Sequence, residues 1–410
     1  MGRPRARGSA GVWSDLTNLI AKGPPTLEAA IGAAAQLGFS LHSSKGDHAR
    51  LEQGKLRLRL ETKHLGERPA LEIELEGPDR HGKTEERSGV VFQGTTLPKK
   101  LFHEMKERFA ETLDDFEDAL AARSHPLPTD FDSLKAFIED GKSEKAQEKE
   151  AAEDAEIAAQ LAGLTLKLES LANSGLAPRG VIVYVDGPDG AGKSSTGAIL
   201  MRALEDAGYS TGSVSFKAPT EAERKQHWLQ RFRDHGVPGG DQGAMFWDRG
   251  PGGDTVYAPR TPEQVASMAK ELKALERELA ADGILLFKLH LWAEPEKQAA
   301  TFGKRFARQT AASRIGDELA KKHRLTPSVA SSLEAIRDKI DGDDLRALVQ
   351  FPEVQRKFLR FSKLTGAKVI DATKRHEARL EVIDTFGAQL DAFAKAQKKA
   401  PRARSESRAA

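Results

Sequence analysis

The chain has 410 residues, with 63 Lys+Arg against 61 Asp+Glu, a formal net charge of +2, 39% hydrophobic and 30% charged residues, and no cysteine. That length supports two or three domains with a sizeable core, and near neutrality means that affinity for a polyanion must come from local clustering of charge. The missing cysteines exclude disulfides, thiolate metal sites and cysteine nucleophiles, and no apolar run approaches the length of a membrane span.

The start, MGRPRARGSAGVW, is basic but lacks the apolar core of a secretory signal, so a cytoplasmic bacterial-type enzyme is the expectation. Residues 25–37, PTLEAAIGAAAQL, open on proline and threonine and predict a helix. KLRLRLE at 55–61 and ALEIELE at 70–76 alternate with period two and are expected to pair as antiparallel strands. LFHEMKERFAETLDDFEDALAA at 101–122 has apolar residues at helical spacing, which completes a small α+β domain over 1–135 with no assigned role. Residues 140–160 are almost wholly helix-forming and charged, and 136–178 reads as a solvated helical connector.

From 181 strands and helices alternate. VIVYV at 181–185, GSVSF at 212–216, AMFWD at 244–248, ILLFKLHLW at 284–292 and AKVID at 367–371 read as strands. Helices are expected from Lys193 to about 207, over 220–233, over about 262–281, over 294–325 and 328–363, and over about 374–395. The pattern predicts an α/β domain over 179–395 with a parallel sheet flanked by helices. The tail, KKAPRARSESRAA, lacks apolar residues, and 396–410 is expected to be a disordered basic extension.

The segment VIVYVDGPDGAGKSS, 181–195, carries the chemistry. Gly187, Gly192, Lys193 and Ser194 satisfy GxxxxGK[ST] between a strand and a helix. Glycines let the backbone curl so that the amides of Gly187, Gly190, Ala191, Gly192, Lys193, Ser194 and Ser195 face an anion. The helix start adds its dipole, Lys193 reaches the outer phosphates, and the Ser194 hydroxyl joins a Mg²⁺ shell. Asp189, inside the loop, is either a loop-shaping turn aspartate or, the favoured reading, a carboxylate that holds Mg²⁺ or activates the attacking phosphate. Asp248 and Arg249 end the AMFWD strand, where ligands of open α/β sheets gather. They are candidates for a metal carboxylate and a phosphate clamp, against the plainer reading of a loop-capping pair. In EKQAATFGKRFARQ, 296–309, Lys304 and Arg308 share a helix face with Arg305 beside them. They form either solvated surface or a mobile lid whose arginines close over the transferred group, and with Lys321, Lys322 and Arg324 the segment has charge enough to track a long polyanion. His227, His235 and His290 lack mutual metal-ligand spacing and read as structural or surface residues. No aromatic residues interleave with the basic clusters, which argues against a specific nucleic-acid partner.

Over about 180–310 these residues resemble the polyphosphate kinase 2 family, P-loop enzymes that exchange phosphate between inorganic polyphosphate and nucleotides. GPDGAGK places an aspartate two residues after the first glycine. APTEAER at 218–224, then LQRF and VPGGDQGAMFWDR, repeat the family's order of PT, E, R, P, G and DR, and LKALERELAADGILLFKLHLWAEPEKQ matches its following helix, strand and EQ segment. The resemblance implies that Asp189 and Asp248 coordinate Mg²⁺ and the phosphate chain, that Lys193 and Arg249 bind phosphates, and that Arg305 and Arg308 are lid arginines. It also implies a three-layer P-loop kinase fold with a helical lid at about 294–325, and polyphosphate and a nucleoside mono- or diphosphate as substrates. Three departures stand out: Ser194 replaces a family glycine, GPGG replaces a serine and two aromatics after DR, and TAASRIGDELAKKH lacks the family's tryptophan segment. Two alternatives remain open, an ATP-dependent nucleoside monophosphate kinase resembling thymidylate kinases, and a binding or regulatory protein that keeps the fold without an acceptor site. Apolar faces in 328–363 suit a homo-oligomer, and the N-terminal domain is left to engage a partner of unknown kind.

Overall fold

Alternating apolar residues need a second layer to cover them, and the chain supplies one twice. The computed structural model describes residues 9–122, 144–321 and 351–399, apart from 80, 82, 217, 218, 240, 241 and 259, together with 327, 330, 331 and 348. The chain divides into two compact units, Met1–Ser143 with Pro295–Gln350, and Glu144–Glu294 with Phe351–Ala410. No helix among the described residues is long and apolar enough to cross a membrane.

In the first unit, β1(Ser40–Lys45), β2(His48–Gln53), β3(Leu56–Leu65), β4(Arg68–Pro78), β5(Thr84–Phe92) and β6(Thr95–Leu97) form one sheet in chain order. All neighbours are antiparallel, and the two strands expected from alternation pair with Leu58 opposite Leu75 and Leu60 opposite Ile73. Their apolar face lies under α1(Ser9–Ala21) and α2(Leu27–Gln36), against Leu16, Ile20, Ala30 and Ala34. The Thr26 hydroxyl caps α2 by accepting from the Ala29 N–H at 3.2 Å. Helix α1 is absent from the sequence expectations, although Val12, Leu16, Leu19 and Ile20 keep helical spacing.

Helix α3(Lys99–Ala122) matches its expected span. Against it packs α10(Pro295–Lys321), the helix predicted as a lid within 179–395, which belongs instead to this first unit. The reason is an apolar stripe on α10: Ala299, Phe302 and Phe306 are buried among Phe92, Phe102, Met105 and Phe109. Phe306 meets the Phe92 ring edge-on at 5.5 Å, and Arg68 lies 4.5 Å above the Phe306 ring while donating to Gln309 Oε1 at 2.8 Å. A Cβ on Gly303 would sit 2.2 Å from the Met105 carbonyl oxygen, so glycine sets the close approach of the two helices.

In the second unit, β7(Gly180–Asp186), β8(Ser210–Ser215), β9(Gly243–Asp248), β10(Ile284–Trp292) and β11(Lys368–Asp371) form a parallel sheet in the order β11-β10-β7-β9-β8. All of β7 is buried, as a central parallel strand covered on both faces must be. Val181, Val183 and Val185 pack under α4(Glu144–Asn173), α5(Lys193–Asp206) and α12(Arg375–Lys399), and Ile182 and Tyr184 pack under α7(Gln230–Gly236), α9(Pro262–Ala281) and α11(Phe351–Thr365).

Several expectations change. The charged segment read as a solvated connector becomes α4, which buries Ile157, Leu164 and Leu168 in this core. The helix expected over 220–233 splits into α6(Glu221–Arg224), opened by a Thr220–Glu223 capping box, and α7. GPGG, for which no element was expected, begins the short helix α8(Pro251–Tyr257) with Pro251 in its first turn. The part of 328–363 before 351, save 330, 331 and 348, and the tail beyond 399 lie outside the described residues.

Phe306→Ala is expected to cost about 3–5 kcal/mol of first-unit stability, as truncations of buried aromatics do. Denaturant unfolding checks this. A midpoint shift no larger than that of the surface change Lys304→Ala would mean that α10 is not part of that core.

Candidate phosphate-binding site

Strand β7 ends at Asp186, and the chain turns at once through Gly187–Gly192 into α5. Gly187, Gly190 and Gly192 have φ of +144°, +85° and +86°, which side chains with a Cβ rarely adopt. At Gly187 a Cβ would also lie 2.3 Å from the Leu291 carbonyl oxygen of β10. The loop therefore curls tightly against the neighbouring strand, with the start of α5 above it. Lys193, the first residue of α5, is 8% exposed. Its ammonium donates to the carbonyls of Gly187 at 2.9 Å and Pro188 at 3.0 Å and lies 3.3 Å from Asp189 Oδ1. The Ser195 hydroxyl donates to Gly192 O at 2.9 Å.

Parallel register places Asp248, the last residue of β9, beside Val185 of β7. Its Oδ1 is buried with no hydrogen-bond partner among the described residues, while Oδ2 has the Ser215 hydroxyl at 3.5 Å. Arg249 follows at φ +59°, a left-handed conformation that costs a non-glycine residue about 1–3 kcal/mol, and its guanidinium comes 3.8 Å from Asp189 Oδ1. An open groove of about 510 Å³ has Ser194 and Asp248 in its wall, with Met201 of α5, Val214 of β8 and Phe246 of β9 alongside.

The fold thus gathers Asp189, Lys193, Ser194, Asp248 and Arg249 at one end of the second unit's sheet. Lys304, Arg305 and Arg308 belong to the first unit. There Lys304 and Arg308 are exposed, and the Arg305 guanidinium lies 5.4 Å from the Phe302 ring. Lys321 is exposed at the end of α10, and Lys322 and Arg324 lie outside the described residues.

Among the described residues no group of three or more His, Cys, Asp and Glu is placed to hold a metal ion. The orphaned Asp248 oxygen and the Ser194 hydroxyl nevertheless fit Mg²⁺, which is commonly held by one or two protein oxygens with phosphates and water completing its shell. Asp189 is engaged by Lys193 and Arg249.

Four residues at this end of the sheet escaped the sequence reading. Asp186 is fully buried, and burial pushes its carboxyl up to about 8, with Asp254 and Asp248 adding to the rise and Lys193 opposing it. The Tyr184 hydroxyl donates to Asp186 Oδ2 and accepts from the Gly252 N–H at 2.9 Å. Burial also raises the Asp254 carboxyl, against the pull of Arg231 and Arg260. Arg231 is 5% exposed and lies 5.2 Å from the Phe216 ring and 5.3 Å from that of Phe232. Tyr184 and Asp186 carry a legible signal, two polar groups on one face of an otherwise apolar strand. Arg231 and Asp254 carry none, because they meet only in the fold. His290 is buried beside the Phe358 ring at 5.3 Å, and burial pushes it down to about 4, in keeping with a structural role.

Fold and site together define the class: an α/β protein with a parallel sheet and a glycine-rich turn between its central strand and the helix that follows. Residues 145–324 match the family model of polyphosphate kinase 2 (PPK2), so the resemblance carried by the motifs holds across that segment. The match supports a polyphosphate kinase type of function, that of a phosphotransferase. Similar solved structures include polyphosphate kinase 2 from Arthrobacter aurescens TC1, at 21% identity and TM-score 0.42, over 60% of this chain and 80% of that one. A candidate polyphosphate kinase 2 from Pseudomonas aeruginosa PA01 is similar at 20% identity and TM-score 0.43, over 59% of this chain and 48% of that one. Comparison with curated proteins gave no match.

The Asp186 carboxyl keeps its proton to about pH 8 in the folded chain and only to its ordinary value of 3.8 otherwise. Between those values the native state binds more protons than the unfolded state, so stability should fall as pH rises through that window. Asp186→Asn should flatten the decline, which urea unfolding at about pH 5 and about pH 8 would read. An unchanged slope would rule out a buried, proton-bearing Asp186.

Proposed function

We propose that the protein is a polyphosphate-dependent nucleotide phosphotransferase, moving a phosphoryl group between inorganic polyphosphate and a nucleoside mono- or diphosphate. The observation that carries this reading is the placement, beyond the ends of the adjacent parallel strands β7 and β9, of the buried Lys193 ammonium and the orphaned Asp248 carboxylate oxygen. One gathers phosphate charge, and the other calls for a cation.

The loop amides of Gly187 to Ser195 take the non-bridging oxygens of the phosphate chain, and Lys193 exchanges its carbonyl partners for those oxygens. Arg249 clamps the chain from the β9 side, and Asp189 orients both cations by its contacts with them. Asp248 and Ser194, with Asp189 as a further oxygen donor, would hold Mg²⁺, which would supply neutralisation of phosphate charge. The chain supplies no covalent chemistry in this scheme. Its residues position the reactants in line and stabilise charge that is already present.

Lys193→Ala and Asp248→Asn are each expected to lower turnover by roughly 100-fold or more, the scale of losing one preorganised electrostatic contact. A panel of polyphosphate, ATP and GTP as donors, with product nucleotides separated by chromatography, tests the assignment. Turnover with polyphosphate is the expected result. Turnover with ATP alone would assign a nucleoside monophosphate kinase, and polyphosphate binding without turnover by any donor would assign a binding protein.

A further inference from the structure

We propose that Tyr184 and Asp186 are positioning residues that tie the turn after Asp248 to the strand bearing the phosphate loop, and so hold Arg249 aimed at that loop. The inference rests on the reading of Arg249 as a phosphate clamp.

Four contacts build the tie. The Gly252 N–H donates to the Tyr184 hydroxyl at 2.9 Å, and that hydroxyl donates to the carboxyl of Asp186, which directly precedes Gly187. On the far side of the same turn the Thr255 hydroxyl donates to the Gly252 carbonyl at 2.8 Å, and the Gly253 N–H donates to Gly250 O at 3.0 Å. Tyr184, Asp186, Gly250 and Gly252 are all buried, so water does not compete for these bonds.

Sterics make the fit specific. A Cβ on Gly250 would come 2.2 Å from the Tyr184 ring, and one on Gly252 would come 1.9 Å from Asp186 Oδ2. The space that larger side chains at these two positions would need is filled from beneath by the tyrosine and aspartate of β7. GPGG is therefore the complement of Tyr184 and Asp186, and the turn it makes is anchored. Arg249 lies between Asp248 and this anchored turn at φ +59°, a conformation that persists only where its surroundings over-determine it. The tie supplies that constraint, and Arg249 keeps its guanidinium 3.8 Å from Asp189 of the loop.

The decisive variant is Tyr184→Phe, which keeps the ring against Gly250 and removes only the hydroxyl. Hydrogen exchange at the Gly252 amide should quicken roughly tenfold or more while the amides of β7 keep their protection. Tripolyphosphate affinity, measured by calorimetry, should fall roughly tenfold, and the Michaelis constant for the phosphate donor should rise with it. Asp186→Asn keeps an acceptor for the tyrosine and should stay near the parent protein in both measurements, whereas Asp186→Ala should behave like Tyr184→Phe. On an Arg249→Ala background, Tyr184→Phe should add little further loss of tripolyphosphate affinity. Unchanged Gly252 exchange in Tyr184→Phe overturns the proposal, as does full additivity with Arg249→Ala. If the parent protein binds tripolyphosphate without turnover by any donor, the proposed activity falls and the affinity measurements still judge the tie. If it does not bind tripolyphosphate, Gly252 exchange alone decides.

Discussion

The arrangement rests on a lysine ammonium held inside a turn of main-chain carbonyls at the end of a fully buried strand. β7 is bonded to β10 on one side and β9 on the other and is covered on both faces, so its chain can leave the core only at its end. There Gly187 presses against the Leu291 carbonyl and leaves no space for a side chain. Turn, helix start and Lys193 follow from that exit, and the neighbouring strand delivers Asp248 and Arg249 to the same place because parallel register aligns the strand ends.

Charge at this end is organised by burial more than by number. Overall the chain is nearly neutral, yet Asp248, Asp254 and Lys193 all act on Asp186, in surroundings where an unpaired charge is costly. Asp186 answers by keeping its proton, Asp254 by its proximity to Arg231 and Arg260, and Asp189 by pairing with Lys193 and Arg249. The Asp248 oxygen alone has no such answer among the groups discussed, which makes it the natural contact for a cation brought with phosphate.

The first unit shows how an apolar stripe outweighs a basic one. Lys304 and Arg308 give α10 an exposed basic face, and the sequence reading followed them to a lid. The helix is placed by Ala299, Phe302 and Phe306, whose burial against α3 and β5 is worth more than any exposed charge. Its basic face is thus presented on a well-packed helix backed by the N-terminal sheet, with Gly303 allowing the approach and Arg68 bridging to Gln309.

The sequence by itself determined the elements whose signals are local. The GPDGAGKSS turn, the buried strands before it and after it, the β3–β4 pair and the ends of α3 and α9 all follow from periodicity, glycine placement and capping within short windows. The motif order around them also pointed to Asp189, Lys193, Asp248 and Arg249, which the fold brings to one end of the second unit's sheet. Only the tertiary structure decided that α4 is core and not connector, that α10 belongs with the N-terminal sheet, and that GPGG is the counterpart of Tyr184 and Asp186. Each of these turns on which buried surface a segment finds among residues far away in the chain, and composition within a window carries no record of that partner.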